Sequence, residues 1–292
     1  MASWTIRKLL NWVTEYLSGK GVDSPRLSAE LLLCHVVGLS RIELYTQFDK
    51  PVPQRQLDTL RDLVRRAGLH EPVAYLTGKT EFYSIELDIS SNCMIPRPET
   101  ELLVQRAIEF LRTRDGVQFV CDLCTGSGCI AVAIAKNFSQ ARVNATDISA
   151  GALEVAARNV TKHQLHERIE LLQGDLFEPL VGQLDVNEFD LIVCNPPYVS
   201  SSEYETLATN VKDYEPKSAL LAGADGLDIY RRLIDKVDQF LKPGAVLMLE
   251  IGYAQGPAAR DLLVQTGAFG EVKIEKDTHD NDRVVTAMKI SS

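Results

Sequence analysis

The chain has 292 residues, enough for two domains, and its 45% hydrophobic and 24% charged residues are typical of an ordinary globular protein. No apolar run reaches the roughly 18 residues of a membrane-spanning helix, so we expect no membrane association. The net charge is −9, and the negative excess lies beyond residue 79, because residues 1–79 carry 11 basic and 8 acidic side chains. An acidic major part is a poor fit to extended contact with nucleic acid and favours a protein or small-molecule partner.

The N-terminal segment MASWTIRKLLNWVTEYL carries Glu15 and lacks a small-residue cleavage site. It therefore predicts an amphipathic helix rather than a signal peptide, and we expect a cytoplasmic protein. In that compartment the six cysteines are expected to be reduced thiols in apolar surroundings. Cys121 and Cys124 form a C-x-x-C pattern, but no second such pair and no paired histidines complete a tetrahedral set. We expect no metal and no redox centre.

The first 75 residues have helical periodicity and no convincing strand. Apolar residues recur with the three-and-four spacing of one helix face at Ile6, Leu9, Leu10 and Val13. Ser28 is expected to begin a second helix, which Gly38 can end. Two further helices are expected in SRIELYTQ and in VPQRQLDTLRDLVRRA, the latter beginning near Pro53. Together these segments predict a small helical bundle.

Residues 76–95 have a different pattern, in which apolar side chains alternate and turn residues interrupt them. The alternating positions are Phe82, Ile85, Leu87 and Ile89, with Gly78 and Ser84 at possible turns. This pattern predicts a β-hairpin linker. A helix is expected to follow Pro98, with Glu99 and Glu101 in its first turn, where the helix dipole favours acidic side chains.

From residue 117 onward, strand and helix patterns alternate, which predicts a parallel sheet covered by helices on both faces. Five strands are expected at residues 118–123, 142–147, 168–173, 189–194 and 245–251. The last two candidate strands, near 269–276 and 283–290, are joined without a helix, so we expect an antiparallel hairpin at one edge of the sheet.

The first strand of this sheet runs into a glycine-containing loop and then a helix, in the sequence VCDLCTGSGCIAVAIA. Ligands of open α/β sheets bind at the carboxyl ends of strands, and Gly126 and Gly128 permit a close approach of the backbone. The helix that follows presents its positive end to an anion. Asp147, 19 positions after Gly128, ends the next strand and is a candidate for holding a ribose diol.

The loop letters C-T-G-S-G-C lack the first and last glycines of the dinucleotide fingerprint, which disfavours a pyrophosphate site. S-adenosylmethionine carries a ribose and adenine but a carboxylate in place of phosphates, so it needs fewer glycines. After the third strand, Asp175 is placed to accept from the adenine amine and Leu176 to pack on the ring. A loop that only turns a strand into a helix is the structural alternative.

The fourth strand ends at the sequence NPPY, residues 195–198. Pro196 and Pro197 cannot continue a strand, and they hold the turn rigid. The Asn195 side-chain oxygen and the Pro196 carbonyl can then accept both hydrogens of a planar NH2 group, against which Tyr198 can lay its flat ring. Such a clamp can hold a nitrogen for in-line attack on a sulfonium methyl group.

With these motifs the chain closely resembles the release factor glutamine methyltransferases, also called the HemK or PrmC family. The resemblance covers most of the chain and includes the segments EPVAYLTGKTEFY, IPRPETELLV, DLCTGSGCIAVAIA, GDLFEPL, FDLIVCNPPYV and LKPGAVLMLEIGYAQG. NPPY alone is shared with methyltransferases of adenine-N6 and guanine-N2, whereas its combination with IPRPETELL and a helical N-terminal domain is far more specific.

The resemblance implies an α/β fold of the class I S-adenosylmethionine-dependent methyltransferases, a Rossmann-like seven-stranded sheet with an antiparallel edge hairpin. It implies a helical bundle over residues 1–75 for substrate recognition, a hairpin linker over 76–95 and a catalytic domain over 96–292. The implied reaction is methylation of the glutamine amide in the GGQ motif of class I peptide chain release factors. We expect a monomer that uses no metal and contacts no nucleic acid directly.

The resemblance also implies which residues bind the two substrates. The implied cofactor contacts are Cys124, Thr125, Gly126, Ser127, Gly128, Asp147, Asp175, Leu176 and Asn195. The implied contacts to the substrate glutamine are Asn195, Pro196, Pro197 and Tyr198. The positive balance of the N-terminal helices is compatible with gripping a release factor.

Cys124 departs from the family pattern, which usually has glycine there. We expect Cys124 to adopt a negative φ and the loop still to bind the cofactor. Three alternatives remain open at this stage: glutamine of a ribosomal protein as the acceptor, a nucleobase amine as the acceptor, and a non-catalytic module that only binds the cofactor.

Overall fold

The computed structural model describes residues 4–182 and 189–290. The chain divides into two compact units. One, called the helical unit below, contains residues 1–79 and 208–214, and the other, called the sheet unit, contains residues 80–207 and 215–292. No helix in the described ranges is long and apolar enough to cross a membrane.

The helical unit is built on five helices from the N-terminal segment, α1 (Ile6–Gly19), α2 (Pro25–Val37), α3 (Arg41–Thr46), α4 (Gln54–Ala67) and α5 (Val73–Thr77). The apolar face predicted for α1 is buried, and the core it joins also contains Leu32, Leu33 and Leu60. Burial of this stripe stabilises the unit more than helix propensity does, since short helices are marginal alone.

Two helix boundaries of this unit differ from the expectation. The second helix starts at Pro25 rather than at Ser28, because the fixed φ of proline suits the first helical position. Residues 76 and 77, which were expected in the hairpin linker, belong to α5 (Val73–Thr77). Gly38 ends α2 as expected, and Gly78 ends α5, both in the left-handed conformation with φ of 69° and 73°.

The sheet unit begins with the predicted hairpin and continues as alternating strands and helices. Its elements, in chain order, are β1 (Lys79–Phe82), β2 (Ile85–Asp88), α6 (Thr100–Leu111), β3 (Gln118–Leu123), α7 (Cys129–Asn137), β4 (Ala141–Asp147), α8 (Ala150–Lys162), β5 (Ile169–Gln173), β6 (Phe189–Cys194) and α9 (Ser201–Thr206). Then come α10 (Thr209–Lys212), which belongs to the helical unit, and α11 (Asp228–Ile234), β7 (Leu241–Glu250), α12 (Gly256–Gln265), β8 (Phe269–Lys276) and β9 (Asp282–Lys289).

The main sheet has seven strands in the order β5-β4-β3-β6-β7-β9-β8. The pairs from β5 to β7 are parallel, and β9 is antiparallel to both β7 and β8, so the predicted mixed sheet with an antiparallel edge hairpin is confirmed. The strand expected at 245–251 begins earlier, at Leu241, and passes through Pro243 and Gly244. There its register with β6 shifts. Pro243 and Gly244 are typical of a turn, so the sequence did not predict that the strand extends through them.

Both faces of the sheet are covered by apolar helices. A first core packs α6 and α7 against one face, with Leu103, Ile134 and Val193 among its buried residues. A second core packs α11 and α12 against the other face, with Tyr230 and Leu263 fully buried. After β3 the chain adds β4 and β5 on one side of β3, and then adds β6 and β7 on its other side. The topological switch point therefore lies between β3 and β6.

Gly128 offers a test of how closely α7 approaches α8. It has a φ of 77°, and a Cβ built there would lie 3.2 Å from the Ala156 Cβ and 3.4 Å from its Cα. Gly116 has a φ of 76° with nothing within 4 Å of such a Cβ. We expect Gly116→Ala to lower the free energy of unfolding by about 1–2 kcal/mol through the left-handed φ alone. Gly128→Ala should cost at least about 1 kcal/mol more in urea denaturation, because its methyl group also meets backbone.

Equal losses in the two glycine variants would contradict the close approach of the two helices. Circular dichroism at low denaturant would first confirm that both variants are folded.

Candidate active site

A cavity of about 350 Å³ lies at the carboxyl ends of β3, β4, β5 and β6. Its walls come from the loops that follow these four strands and from two segments of the same unit, residues 92–100 and 216–221. This volume falls in the range of small-molecule sites, and the position at the switch point is where open α/β sheets bind ligands.

The loop after β3 forms one wall and is organised by hydrogen bonds. The Thr125 amide donates to the Thr146 carbonyl at 3.0 Å, and the Gly126 amide donates to Asp147 Oδ2 at 2.8 Å. Gly126 has a φ of 58° and Gly128 a φ of 77°, conformations that glycine adopts without strain. The Gly126 amide, which was a candidate for ligand contact, is thus used to hold Asp147.

Asp147 ends β4 at the cavity wall, where a ribose-binding carboxylate was expected. Its second oxygen, Oδ1, accepts from the Ser149 amide at 2.9 Å. Burial raises the pKa of Asp147, and the amide bonds from Ser149 and Gly126 oppose that shift. Both oxygens keep lone pairs, so the carboxylate is fixed in direction and can still accept from a ligand diol.

Asp122 lies in the strand before the loop, and the sequence did not indicate a role for it in the site. It is fully buried, and its Oδ2 accepts from the Thr125 hydroxyl at 2.6 Å and the Ala131 amide at 3.1 Å. Its Oδ1 has no partner among the described residues, and burial raises its pKa to about 7. Asp122 therefore ties the loop to the first turn of α7 from below. An acidic residue inside an otherwise apolar strand was the available signal.

Cys124 has a φ of 58°, so the expectation of a negative φ is wrong. The loop keeps the left-handed conformation that glycine would take there, because the bonds of Thr125 and Gly126 fix the backbone on its far side. A non-glycine residue in this conformation carries about 1–2 kcal/mol of strain. The Cys124 side chain lines the cavity and packs against the second core.

Asp175 and Leu176 follow β5 and also line the cavity. Asp175 Oδ2 is paired with the Arg232 guanidinium, a contact that the sequence did not predict, so its other oxygen has more acceptor capacity for an adenine amine. Leu176 is buried with a φ of 50°, and its carbonyl accepts from the Thr146 hydroxyl at 3.1 Å. Backbone strain of this kind collects at ligand sites.

The sequence NPPY follows β6 and contributes Asn195 and Pro197 to the cavity wall. Asn195 Nδ2 donates to Thr100 Oγ1 at 3.1 Å, and its Oδ1 accepts no hydrogen bond from the residues that the structure describes. Pro196 is buried, and Tyr198 packs against the second core with its hydroxyl 3.3 Å from Glu250 Oε1. The Tyr198 carbonyl accepts from Gln255 Nε2 at 2.9 Å.

The segment 92–100 forms another wall of the cavity. Part of it belongs to the sequence IPRPETELLV, which carries the resemblance but was given no role in the site. It contributes Thr100, the first residue of α6, to the cavity. Within it, the Arg97 guanidinium pairs with the buried Glu215, whose Oε2 also accepts from the Ile95 amide at 3.2 Å. Burial raises the pKa of Glu215, and Arg97 opposes that shift. This ion pair joins the segment to the other wall, which begins at Pro216.

All six cysteines are free thiols. In the described ranges no group of three or more histidine, cysteine, aspartate or glutamate side chains is arranged to hold a metal ion.

The strain at Cys124 can be measured by comparing Cys124→Gly with Cys124→Ala. Both variants lose the thiol, but only glycine adopts a φ of 58° freely. We expect the glycine variant to be more stable than the alanine variant by about 1 kcal/mol in urea denaturation, and its activity to equal or exceed that of the wild type. A more stable alanine variant would mean that the loop is not strained at this position.

Burial of Asp122 has a measurable consequence for stability against pH. The folded state keeps the Asp122 proton up to pH about 7, whereas the unfolded chain releases it near pH 3.8. The folded pKa of this acid is raised, so its contribution to stability falls as pH rises between these values. Relative to Asp122→Asn, which cannot ionise, wild-type unfolding free energy should fall by up to about 1.4 kcal/mol per pH unit. Denaturant titrations from pH 4.5 to 6.5 measure the difference, and parallel curves would rule out the shift.

The comparisons with known proteins agree over most of the chain. Residues 8–78 match the family model "PrmC N-terminal domain", and residues 98–212 match "Methyltransferase small domain". A release factor glutamine methyltransferase of Rhodopirellula baltica is 44% identical over 98% of this chain and 97% of its own length. One from Geobacter sulfurreducens is 41% identical over 97% of this chain and 96% of its own length.

Among solved structures, the hMettl16 catalytic domain in complex with MAT2A 3'UTR hairpin 6 is 16% identical. It covers 80% of this chain and 83% of its own, with a TM-score of 0.56, and supports the fold alone. The sequence relatives, together with a cavity walled by the glycine loop and NPPY, identify the family. This chain belongs to the release factor glutamine methyltransferases.

Proposed function

We propose that this chain transfers the methyl group of S-adenosylmethionine to the side-chain amide nitrogen of the glutamine in the GGQ motif of class I peptide chain release factors. The observation that supports this most is that one cavity has Asp147 on one wall and Asn195 on another. Asp147 suits the ribose of a nucleoside cofactor, and Asn195 suits an amide substrate. The names of the relatives give a glutamine of a release factor as their acceptor.

The residues around the cavity fit S-adenosylmethionine. Asp147 is an immobilised acceptor for the ribose diol, and Leu176 is an apolar surface for the adenine. We propose that Cys124, Thr125 and Gly126, which line the cavity, contact the methionine part near the N-terminus of α7, whereas Ser127 and Gly128, also expected as contacts, are not among the lining residues. The free oxygen of Asp175 remains the proposed acceptor for the adenine amine. When bound, the cofactor supplies a sulfonium methyl group and a neutral thioether leaving group.

The proposed role of NPPY is to hold the glutamine amide. Asn195 Oδ1 and the Pro196 carbonyl accept the two hydrogens of the NH2 group, whose nitrogen is a poor nucleophile because its lone pair is delocalised. As methyl transfer proceeds, positive charge develops on that NH2 group, and the two acceptors stabilise it more than they stabilise the ground state. The proton can leave afterwards, so no general base is needed before attack.

Pro197 keeps the turn rigid, and Tyr198 was expected to support the plane of the amide. Since the Tyr198 hydroxyl is bonded to Glu250, we propose that the ring acts mainly by holding this turn in place.

The helical unit is the proposed site of release-factor recognition. Residues 4–79 are more basic than the rest, and Trp4 and Trp12 are 44% and 42% exposed on that unit, with their rings in an edge-to-face contact. Tryptophan and arginine side chains are enriched at protein interfaces. A release-factor substrate also supports the expectation of a cytoplasmic protein with a protein partner. That the chain is a monomer and contacts no nucleic acid stays a prediction.

The direct test incubates the purified chain with labelled S-adenosylmethionine and a purified class I release factor. Mass spectrometry of the GGQ peptide should show one added methyl group, and a release factor with glutamine replaced by alanine is the matched control. Label on a ribosomal protein, with none on the release factor, would establish the sister reaction instead. Cofactor binding without label on any protein would favour a binding module.

The two walls should respond differently to mutation. Asn195→Ala removes a transition-state acceptor, so we expect kcat to fall at least about 100-fold with cofactor Kd changed less than about threefold. Asp147→Ala should raise the cofactor Kd at least about tenfold. Isothermal titration and single-turnover kinetics separate the two. If Asn195→Ala lost cofactor affinity and kcat to the same extent, the proposed role of Asn195 in holding the substrate amide would be wrong.

A further inference from the structure

The NPPY turn is joined to one wall of the cavity at its first residue. Asn195 Nδ2 donates to Thr100 Oγ1 at 3.1 Å, and Thr100 ends residues 92–100, called the first wall segment below. This segment also supplies Met94 and Pro96 to the cavity. The position of Asn195 therefore depends on the position of the first wall segment.

A second wall segment, residues 215–222, is joined to the chain directly after NPPY. The Val199 amide donates to the Leu220 carbonyl at 2.8 Å, and the Val199 carbonyl accepts from the Ala222 amide at 2.9 Å. This segment supplies Pro216 to the cavity. The turn proposed to hold the glutamine amide is thus fixed between two stretches of chain that are distant in sequence.

Glu215 joins the two wall segments to each other. Its side chain is 1% exposed, one carboxyl oxygen is paired with the Arg97 guanidinium, and the other accepts from the Ile95 amide at 3.2 Å. The first wall segment, NPPY and the second wall segment therefore form a closed ring of contacts. Neither Glu215 nor Arg97 is among the described residues that line the cavity, so any effect of the pair on the reaction is indirect.

The energetics of the pair favour a geometric role. Burial removes the hydration of Glu215, which offsets much of its attraction to Arg97, so the pair adds little stability beyond that of well-packed apolar side chains. Its geometry is restrictive, because a carboxylate bonded to both a guanidinium and a backbone amide limits how far the two segments can move apart. Removing the pair should therefore change the shape of the wall more than the stability of the fold.

We propose, building on the function above, that Glu215 is a positioning residue for methyl transfer. Through Arg97 and the Ile95 amide it keeps the two wall segments together, so that NPPY between them holds the glutamine nitrogen in line with the methyl group. A displacement of about 1 Å at the reacting atoms can slow a reaction by about 100-fold. Glu215 itself does not touch the substrate.

The first test compares Glu215→Ala, which removes both bonds, with Glu215→Gln, which keeps an acceptor for the Ile95 amide. At saturating release factor, we expect kcat in Glu215→Ala to fall about tenfold or more, with the cofactor Kd changed less than about threefold. Glu215→Gln should retain several times the kcat of Glu215→Ala. An unchanged kcat in Glu215→Ala, or a cofactor Kd that changes as much as kcat, would overturn the proposal.

A double variant separates positioning from stability. Arg97→Met leaves the Glu215 carboxylate buried without its cation and should lower the melting temperature. Arg97→Met combined with Glu215→Gln leaves no charge in the pair, so we expect the melting temperature to recover while kcat stays about tenfold or more below that of the wild type. Recovery of kcat together with the melting temperature would show that the pair serves only the fold, contrary to the proposal.

Arg106 and Glu275 provide a matched control, because they form an ion pair in the same unit and neither is among the described residues that line the cavity. We expect Arg106→Met to keep kcat within about threefold of the wild type, since a partly exposed pair contributes little. If Arg106→Met and Arg97→Met lost kcat equally, the effect would not be specific to the cavity wall and the proposal would be wrong.

A second readout does not depend on activity. Cys93 lies in the first wall segment and is 2% exposed, whereas Cys121 and Cys194 lie in β3 and β6 and are fully buried. In Glu215→Ala we expect N-ethylmaleimide to label Cys93 at least about fivefold faster than in the wild type, because the wall opens locally. Labelling of Cys121 and Cys194 should stay at the wild-type rate. Mass spectrometry of the cysteine peptides measures the three rates.

The labelling rates distinguish this proposal from the proposed function. An unchanged rate at Cys93, or equal acceleration at all three cysteines, would refute the role of Glu215 in holding the wall even if the wild type methylates its substrate. Selective acceleration at Cys93, without any methylated release factor from the wild type, would instead reject the proposed function and leave the joining of the two wall segments by Glu215 established.

Discussion

The parallel pairing of β3 with β6 is the constraint on which the site depends. Their last residues, Leu123 and Cys194, are paired with each other, so the loop that begins at Cys124 and the turn that begins at Asn195 leave the sheet side by side. Because the chain turns in opposite directions on either side of this pair, a crevice opens between the two loops. A cofactor loop and an acceptor loop thereby share one cavity without any long-range adjustment.

Much of this arrangement was predictable because it depends on local patterns. Hydrophobic periodicity located the seven strands and the main helices, and glycine and proline punctuation located the loops that form the cavity. The tertiary partners were not predictable. Thr100 and Asn195 are far apart in sequence, and nothing local to Asp175 pointed to Arg232. Side-chain partners of this kind follow from the packing of helices on the sheet, which periodicity leaves undetermined.

The conformation of Cys124 was predicted wrongly although the fold was predicted correctly. The expectation of a negative φ followed from the preference of the side chain alone. The structure shows that hydrogen bonds of the neighbouring residues Thr125 and Gly126 determine the backbone, and the side chain accepts the left-handed conformation. Leu176 at the next-but-one strand end is in the same situation, with a φ of 50°. At both positions the tertiary hydrogen bonds around the cavity determine φ, and the intrinsic preference of the side chain for a negative φ does not.

The helical unit is assembled from two separate pieces of chain, residues 1–79 and 208–214, and Tyr214 in the second piece donates to the Leu69 carbonyl in the first at 2.9 Å. The chain that leaves NPPY therefore enters this unit before returning at Glu215, the partner of Arg97 in the cavity wall. As a result, no single cut in the chain separates the two units. An exchange of residues 1–79 alone would leave residues 208–214 behind, so a transplant of the helical unit has to include both segments.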